Sequence, residues 1–532
     1  MNVIRSYWKT VVLVVFYVAH LWVFYGIVLY HLGGKVAEKC HGTWGCKRRL
    51  SEGLLKYPID LSDGQYREFR HHLRLFIVIG IVSVLVDKGY RLVLGILYPN
   101  NKILSASQLI YPKLIVGVIA VLVQHKYHSL IVFAIGLIGY YIPRISKNIY
   151  ISTSLVWIYA LSILALKESY RLLPYYNIPI LGVMFNSQYG GLYRWHLPAN
   201  FLVLRLLSFG IDHINARHIL TATKKDDDQA SSNTGTKQIA YAEFSEYNNV
   251  YTYLAYLLYL PLYMAGPIVT YTNFVKCVQS PQQSVNPYTY TIRLAVCWVL
   301  MEVLLTKLPL FAVLSSPLFP HLNVYEIATV CYLLLKLMWL KFLLIWRFFR
   351  AWALFDGVYT EENMVRCMSN NYSLEQFWKG WHASFNKFLV QYIYLPLGGR
   401  KYRILSACLI FFFVALWHDF EVHLLVWGGL NTCFYAIEVL CKPVTGYHTK
   451  QQLKGMSFMQ NLLSSLSSAV YILILMGVNL TGYSVGTGGA SIILNKFYTM
   501  DGLYVLLFAL YILFIGVNMM FSLQKWGWVK DF

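Results

Sequence analysis

Charge is scarce in this chain: Asp, Glu, Lys and Arg make up 13% of its 532 residues, while 57% are hydrophobic. That balance excludes a string of soluble domains and, with long apolar runs, describes a polytopic membrane protein. No composition shift divides the apolar part, so one membrane domain is the simplest organisation. No small-residue cleavage site follows the run Val11 to Leu29, which therefore reads as a retained first helix and not a removed signal peptide. The glycine-rich NLTGYSVGTGG segment at 479–489, expected to be a loop between the last two spans, lacks the spacing and the strand-to-helix setting of a phosphate loop, which argues against nucleotide hydrolysis. There is no continuous basic face either. The formal net charge of +21 sits in short loops between apolar runs, where membrane topology and anionic headgroups account for it and nucleic acid is not implied. Cysteine is sparse, and most of the nine lie in or beside apolar runs as small packing residues. Cys40 and Cys46 share a polar loop and would pair on a lumenal face, but the KRR run at 47–49 favours the cytosol, where thiols stay reduced.

What is present is aromatic: 17% of residues, 43 of them tyrosine, suit interfacial belts and the lining of an acyl tunnel. Three regions are expected: N-terminal helices with a polar loop over 1–215, a flexible polar linker over 216–247 containing KKDDDQASSNTGTK, and a core with C-terminal helices over 248–532. Leu75 to Leu97 carries Asp87, Lys88 and Arg91 and reads either as one helix with inward charges or as two re-entrant pieces. The segment Tyr251 to Thr272 is interrupted by Pro261 and then Gly266 and Pro267, so it is a kinked helix or a broken one whose freed backbone groups face a cavity. Glu302, Glu326, Lys336 and Lys341, inside later spans, are expected to find partners. His196 beside Arg205 is a weak candidate for chemistry. The patch WRFFRAWALFDG at 346–357, with Arg347, Arg350 and Asp356, reads equally as a phosphate holder or as residues snorkelling to the interface.

The chain is organised around Trp378 to Leu440. His382 and His418 lie 36 positions apart, each after a tryptophan. On one straight helix they would be ~54 Å apart, but Pro396, Gly398 and Gly399 supply a stop and Arg400, Lys401 and Arg403 a polar turn. Folding back there brings the two imidazoles to similar depth. Lys379, His382 and Asn386 fall on one helical face, a polar stripe at bilayer depth that marks a site. An imidazole with a pKa near neutrality is the simplest base for a hydroxyl nucleophile. His418 is the candidate base and His382 the group that orients the acceptor or faces the developing oxyanion, with the two roles interchangeable. Trp378 offers a stacking face, Lys379 a cation for an anionic group, and Asn386 an amide on the same face.

These stretches resemble the membrane-bound O-acyltransferases, and within them the glycerol-uptake-protein group related to hedgehog acyltransferase. The carrying residues are EYNNVYTYLAYLLYLPLYMAGPI at 246–268, WRFFRAWALFDG at 346–357, FWKGWHASFNKFLVQYIYLPLGG at 377–399 and VALWHDFEVHLLVWG at 414–428. The resemblance implies an all-α bundle of about 10–12 transmembrane helices with re-entrant segments around a central tunnel. It implies transfer of a long acyl chain from acyl-CoA to a hydroxyl, with His418 at the family's invariant histidine and His382 at its second catalytic position; with that donor, Trp378 is placed for stacking on adenine, Lys379 for a CoA phosphate, and Asn386 for pantetheine or the acceptor. For this group it implies remodelling of lyso-GPI anchors in the endoplasmic reticulum membrane, with acyl-CoA, a lipid or GPI acceptor and membrane lipids as partners. Hedgehog acyltransferases carry Asp where this chain has His382, which puts protein acylation in doubt. Cys367 falls where those relatives have a haem-ligating cysteine; otherwise no cofactor is required and no metal is implied. A glycerol or polyol transporter is the alternative of another class.

Overall fold

The computed structural model describes residues 2–53, 56–98, 105–172, 196–226, 241–280, 285–441 and 448–529. It is a helical bundle in which eight helices among the described residues are long and apolar enough to cross a membrane, with two shorter apolar helices beside them. Helix α1 (Asn2–Tyr25) continues without a break through a π-helical turn (Gly26–Leu32) into Gly33–Gly42. A two-residue antiparallel pair, β1 (Ser51–Glu52) with β2 (Pro58–Ile59), leads into α2 (Gly64–Leu97), capped by the Asp63 carboxylate, which accepts from Tyr66 N–H. Residues 66–74, the polar run YREFRHHLR, are the start of this helix, and Asp87 to Arg91 are on a continuous helix rather than a re-entrant pair.

There follow α3 (Tyr111–His125), α4 (Ser129–Tyr141), α5 (Ile149–Leu172), α6 (His196–Asp226), α7 (Val250–Leu258), α8 (Leu260–Met264) and α9 (Pro287–Lys307). Helix α6 carries Pro198 in its first turn and extends through 216–226, so the helix occupies the start of the expected linker. Residues 227–240 of that linker, and the side chain of His196, lie outside the described residues. Hydrophobic packing does not respect the expected boundary: one cluster joins residues such as Val132 and Leu207 to Tyr256, Phe388 and Trp417.

Helix α10 (Val324–Phe355) is the central post. Its apolar window is 72% buried, against 17% for the first and last spans, and Asn323 with Glu326 forms a capping box at its start. The histidine hairpin comes next as α11 (Leu374–Gly380), α12 (Ala383–Leu389) and α13 (Arg403–His418), followed by α14 (Val422–Leu440). The turn is where the glycines placed it: Gly398 and Gly399 have φ of 96° and 55°, a left-handed region that favours residues without Cβ. The last elements are α15 (Phe458–Leu480), a π-helical turn (Thr481–Val485), α16 (Gly486–Phe497) and α17 (Met500–Trp526). The glycine-rich 479–489 stretch is thus helical and not a loop.

Charges at bilayer depth are expensive unless paired, and most are. Lys113 bridges Asp87 (2.7 Å) and Asp356 (3.0 Å), Arg91 pairs with Asp87 (2.8 Å), and Tyr259 donates to Asp356 (2.6 Å). Glu302 receives Arg70 and Tyr66, Glu326 receives Lys39, and Lys341 donates to Asp63 (2.8 Å). Arg347 and Arg350 both meet Glu362, and Arg350 also donates to the Thr360 carbonyl. The aromatic patch at 346–357 therefore neither offers free guanidinium groups to a phosphate nor snorkels; its charges close on the protein itself.

The proline break is resolved in the same way. Pro261 removes the N–H that would have met the Leu257 carbonyl, and Arg205 donates to Leu257 O (2.6 Å) and Tyr256 O (3.1 Å) instead. After Gly266 and Pro267, Ile268 N–H reaches Ser384 Oγ (2.8 Å). The helix is broken, but its freed groups meet side chains and not a cavity. Cys40 and Cys46 form a disulfide, contrary to the reduced pair expected from the KRR run. A stable disulfide fits an oxidising compartment, and the Lys39–Glu326 pair ties this loop to the start of α10.

Candidate active site

The first arm of the hairpin is not one helix. It stops at Trp381, whose backbone is extended, and restarts after His382, which holds φ 46° and ψ 50°. A left-handed histidine costs about 1–3 kcal/mol and persists only where its surroundings impose it. The segment 363–365 does so: Met364 bridges Trp381, Val365 N–H donates to Gly380 O, Ala383 N–H donates to Asn363 O, and the buried Asn363 side chain accepts from Ser384. With the helix interrupted, Lys379 and His382 no longer share a face.

Lys379 consequently points away from the chamber. Its ammonium is half-exposed and pairs with Glu375 (2.9 Å), which also receives Arg403 (2.7 Å). Trp378, His382, Asn386 and His418 all line one large cavity of about 1010 Å³. Pockets for small ligands usually measure ~300–1,000 Å³, so this one has room for a long substrate. Its lining follows α10 from Tyr325 to Trp346, ~32 Å of helix, and is otherwise dominated by Leu, Ile, Met and Phe from α1, α15, α16 and α17.

Each imidazole is held by a different part of the chain. His382 packs edge-on against Trp346, with ring centres 4.3 Å apart, and against Phe385. Its Nδ1 is buried without a hydrogen-bond partner, as is the indole Nε1 of Trp378, so two polar atoms of the cavity wall are unsatisfied by the protein. The indole ring of Trp378 meets Phe377, Phe411 and Trp427 edge-to-face. His418 ends α13; its carbonyl accepts from Lys167 Nζ (3.1 Å) and Asn200 Nδ2 (3.3 Å), and Trp417 donates to Asn200 O (2.7 Å). Lys167 also pairs with Asp419, so the turn after the histidine is fixed from α5 and α6.

Three contributors had no signal in the sequence. Tyr483, within the π-helical turn, places its ring 5.4 Å from that of His418 and 5.2 Å from Trp427. It reaches there because Gly482 lies against Trp427: a Cβ on that glycine would stand 2.5 Å from the indole. Asn479 accepts from the Trp427 indole (3.1 Å), and Asn363 clamps the His382 break. Cys367 is a free, exposed thiol on the loop before α11, with Lys336 as a charged neighbour. A free thiol on an exposed loop is the donor type that would hold a haem iron.

Taken together, a multi-pass helical protein with two imidazoles on the wall of a deep apolar chamber is built for group transfer within the membrane. The chain belongs to the membrane-bound O-acyltransferase family, whose model matches residues 142–481. It is 31% identical to Membrane-bound O-acyltransferase GUP1 of Saccharomyces cerevisiae, over 98% of this chain and 92% of that one. It is 33% identical to Membrane-bound O-acyltransferase gup1 of Schizosaccharomyces pombe, over 88% and 81%. A more distant likeness, 26% over 35% of this chain and 39% of the other, is to Protein-cysteine N-palmitoyltransferase HHAT of Mus musculus.

Proposed function

We propose that this acyltransferase moves a long fatty acyl group from acyl-CoA to a hydroxyl of a lyso-lipid acceptor of the GPI-anchor type, in the endoplasmic reticulum membrane. The observation that carries the reading is the pair His382 and His418 on one wall of an apolar cavity of about 1010 Å³. A thioester with its acyl chain in that chamber presents its carbonyl to both rings, and a lipid acceptor shares the same apolar space.

In this mechanism the His418 imidazole takes the proton as the acceptor oxygen bonds to the thioester carbonyl carbon. The tetrahedral oxyanion accepts hydrogen bonds from N–H groups of the wall, for which His382 and the indole of Trp378 are the suitable donors. The carbon–sulfur bond then breaks, and His418 returns the proton to the CoA sulfur, leaving ester and free CoA. Asn386, a turn beyond His382, is placed to hold the acceptor or pantetheine. Lys379 has no part in this scheme, because it is turned to Glu375. Haem on Cys367 is a separate proposal that a Soret band in the purified protein tests, and no step depends on it.

The test is transfer of a labelled long-chain acyl group to lyso-GPI lipid by the purified protein. Wild type should form the diacyl product with release of one CoA per ester, and folded His418→Ala protein should lose ~10²–10⁴-fold in rate. Absence of transfer by wild type to any lipid acceptor, with glycerol flux into liposomes instead, would replace this reading with the carrier.

A further inference from the structure

Most of the buried charged side chains in this bundle have an opposite charge beside them, and Arg205 instead closes on two backbone carbonyls. Lys336 lies twelve residues into α10, ~18 Å from its start, within a helix long and apolar enough to cross a membrane. Among the described residues it is the sole Lys, Arg, Asp or Glu on the wall of the large cavity. Among the described residues no carboxylate pairs with it: its ammonium donates to Ser369 Oγ, lies 4.9 Å from the centre of the Tyr332 ring, and has the Cys367 thiol as its electrostatic neighbour. Tyr332 in turn bonds through its hydroxyl to Tyr25 at the end of α1 (3.0 Å). An ammonium on an apolar wall is costly unless something negative joins it, and a cation with the Ser369 and Tyr332 hydroxyls on that wall forms a receptor for an anion carried by an otherwise apolar molecule.

We propose that Lys336 is the phosphate-recognition residue of this cavity, receiving the phosphodiester of a lysophospholipid acceptor. The inference rests on the acyl-transfer reading and deepens it by naming the anionic class of substrate. A point charge with rotatable donors suits a phosphate arriving in a flexible headgroup. It stands on the stretch of cavity wall that runs along α10 from Trp346, which packs on His382, towards Tyr325 and is faced by residues of α1 and α17. The phosphate of CoA is the other source of the same chemistry.

The experiment measures binding as well as turnover, so that it stands even if catalysis fails. A fluorescent lysophosphatidylinositol and a fluorescent monoacylglycerol are titrated onto the full chain in nanodiscs, as wild type, Lys336→Met, Lys336→Arg and Cys367→Ser. We expect Lys336→Met to weaken the phospholipid about tenfold and leave the neutral lipid unchanged, the latter also showing that the variant is folded. Lys336→Arg should stay within about threefold of wild type, and Cys367→Ser should bind as wild type does. In turnover, KM for the lysophospholipid should rise in Lys336→Met with kcat and KM for acyl-CoA unchanged. A rise confined to acyl-CoA would keep phosphate recognition and give CoA as its source. Equal binding of the phospholipid by wild type and Lys336→Met, with unchanged KM for both substrates, would overturn the proposal. So would a Soret band or Cys367 reactivity that follows Lys336 while lipid binding does not. Failure of wild type to turn over, with Lys336-dependent phospholipid binding intact, would count against acyl transfer and leave this site standing.

Discussion

Lys341 and Lys336 are five residues apart on one helix, which turns them ~140° from each other. Lys341 faces the half of the bundle built from α2 and α9 and finds Asp63, its side chain 3% exposed. Lys336 faces the cavity and finds hydroxyls, a ring and a thiol. The contrast extends to the two halves around them. On the side of α2, α3 and α9, polar groups close into pairs: Lys113 between two aspartates, Glu302 with Arg70 and Tyr66. On the cavity side, His382 Nδ1 and Trp378 Nε1 are buried and unsatisfied. The first arrangement holds helices together in a medium that punishes unpaired charge, and the second leaves polar atoms for a substrate. A polar residue in a membrane span therefore takes its meaning from the face it occupies.

That division can be broken at its strongest point first. Lys113→Met leaves Asp87 and Asp356 facing each other with Arg91 alone to compensate, and should destabilise the protein by about 3–5 kcal/mol. The unfolding midpoint in detergent should fall while the rate per folded molecule holds; a lost rate with an unchanged midpoint would move this cluster into the catalytic machinery. A milder version compares the two lysines of α10. Lys341→Met should lower stability by about 1–3 kcal/mol, because Asp63 keeps only its helix-cap bond to Tyr66 N–H. Lys336→Met should change it by less than about 0.5 kcal/mol, and equal losses in the two variants would erase the distinction.

Tyr483→Leu sharpens the comparison from the cavity side. Tyr483 is a positioning residue for His418, so kcat should drop about tenfold with KM for acyl-CoA unchanged, and Tyr483→Phe should restore most of it because the contact is made by the ring. A rise in KM alone would make it part of substrate binding. The smallest effect is expected at Lys379→Ala. Its half-exposed pair with Glu375 is worth about 0–1 kcal/mol, and KM for acyl-CoA should not move. A severalfold rise would return Lys379 to the phosphate role its spacing suggested.

Much of the hairpin was legible as local chemistry. Gly398 and Gly399 turn the chain where their missing Cβ atoms permit positive φ, and His382 and His418 do line one cavity. The placement of Lys379 failed because helical periodicity assumes an unbroken helix, and the break at His382 is imposed by Asn363 and Met364, some twenty residues upstream. The loop reading of 479–489 failed for a related reason. Its glycines signal flexibility in isolation, whereas Gly482 is there to admit the Trp427 indole and the segment winds as helix around that contact.

By itself the sequence determined what depends on composition and near neighbours: a multi-pass helical protein, the spans, and the glycine turn that folds one histidine back towards the other. Spans are legible because hydrocarbon demands internally bonded helices of sufficient apolar length, a condition each segment meets alone. The tertiary structure alone decided which charges are paired and which face a substrate. It also decided that Lys167 and Asn200, more than two hundred positions away, hold the backbone of His418, that Tyr483 lies against its ring, and that Cys40 bonds Cys46. Those outcomes depend on contacts between helices whose spacing along the chain says nothing of their distance in the bundle.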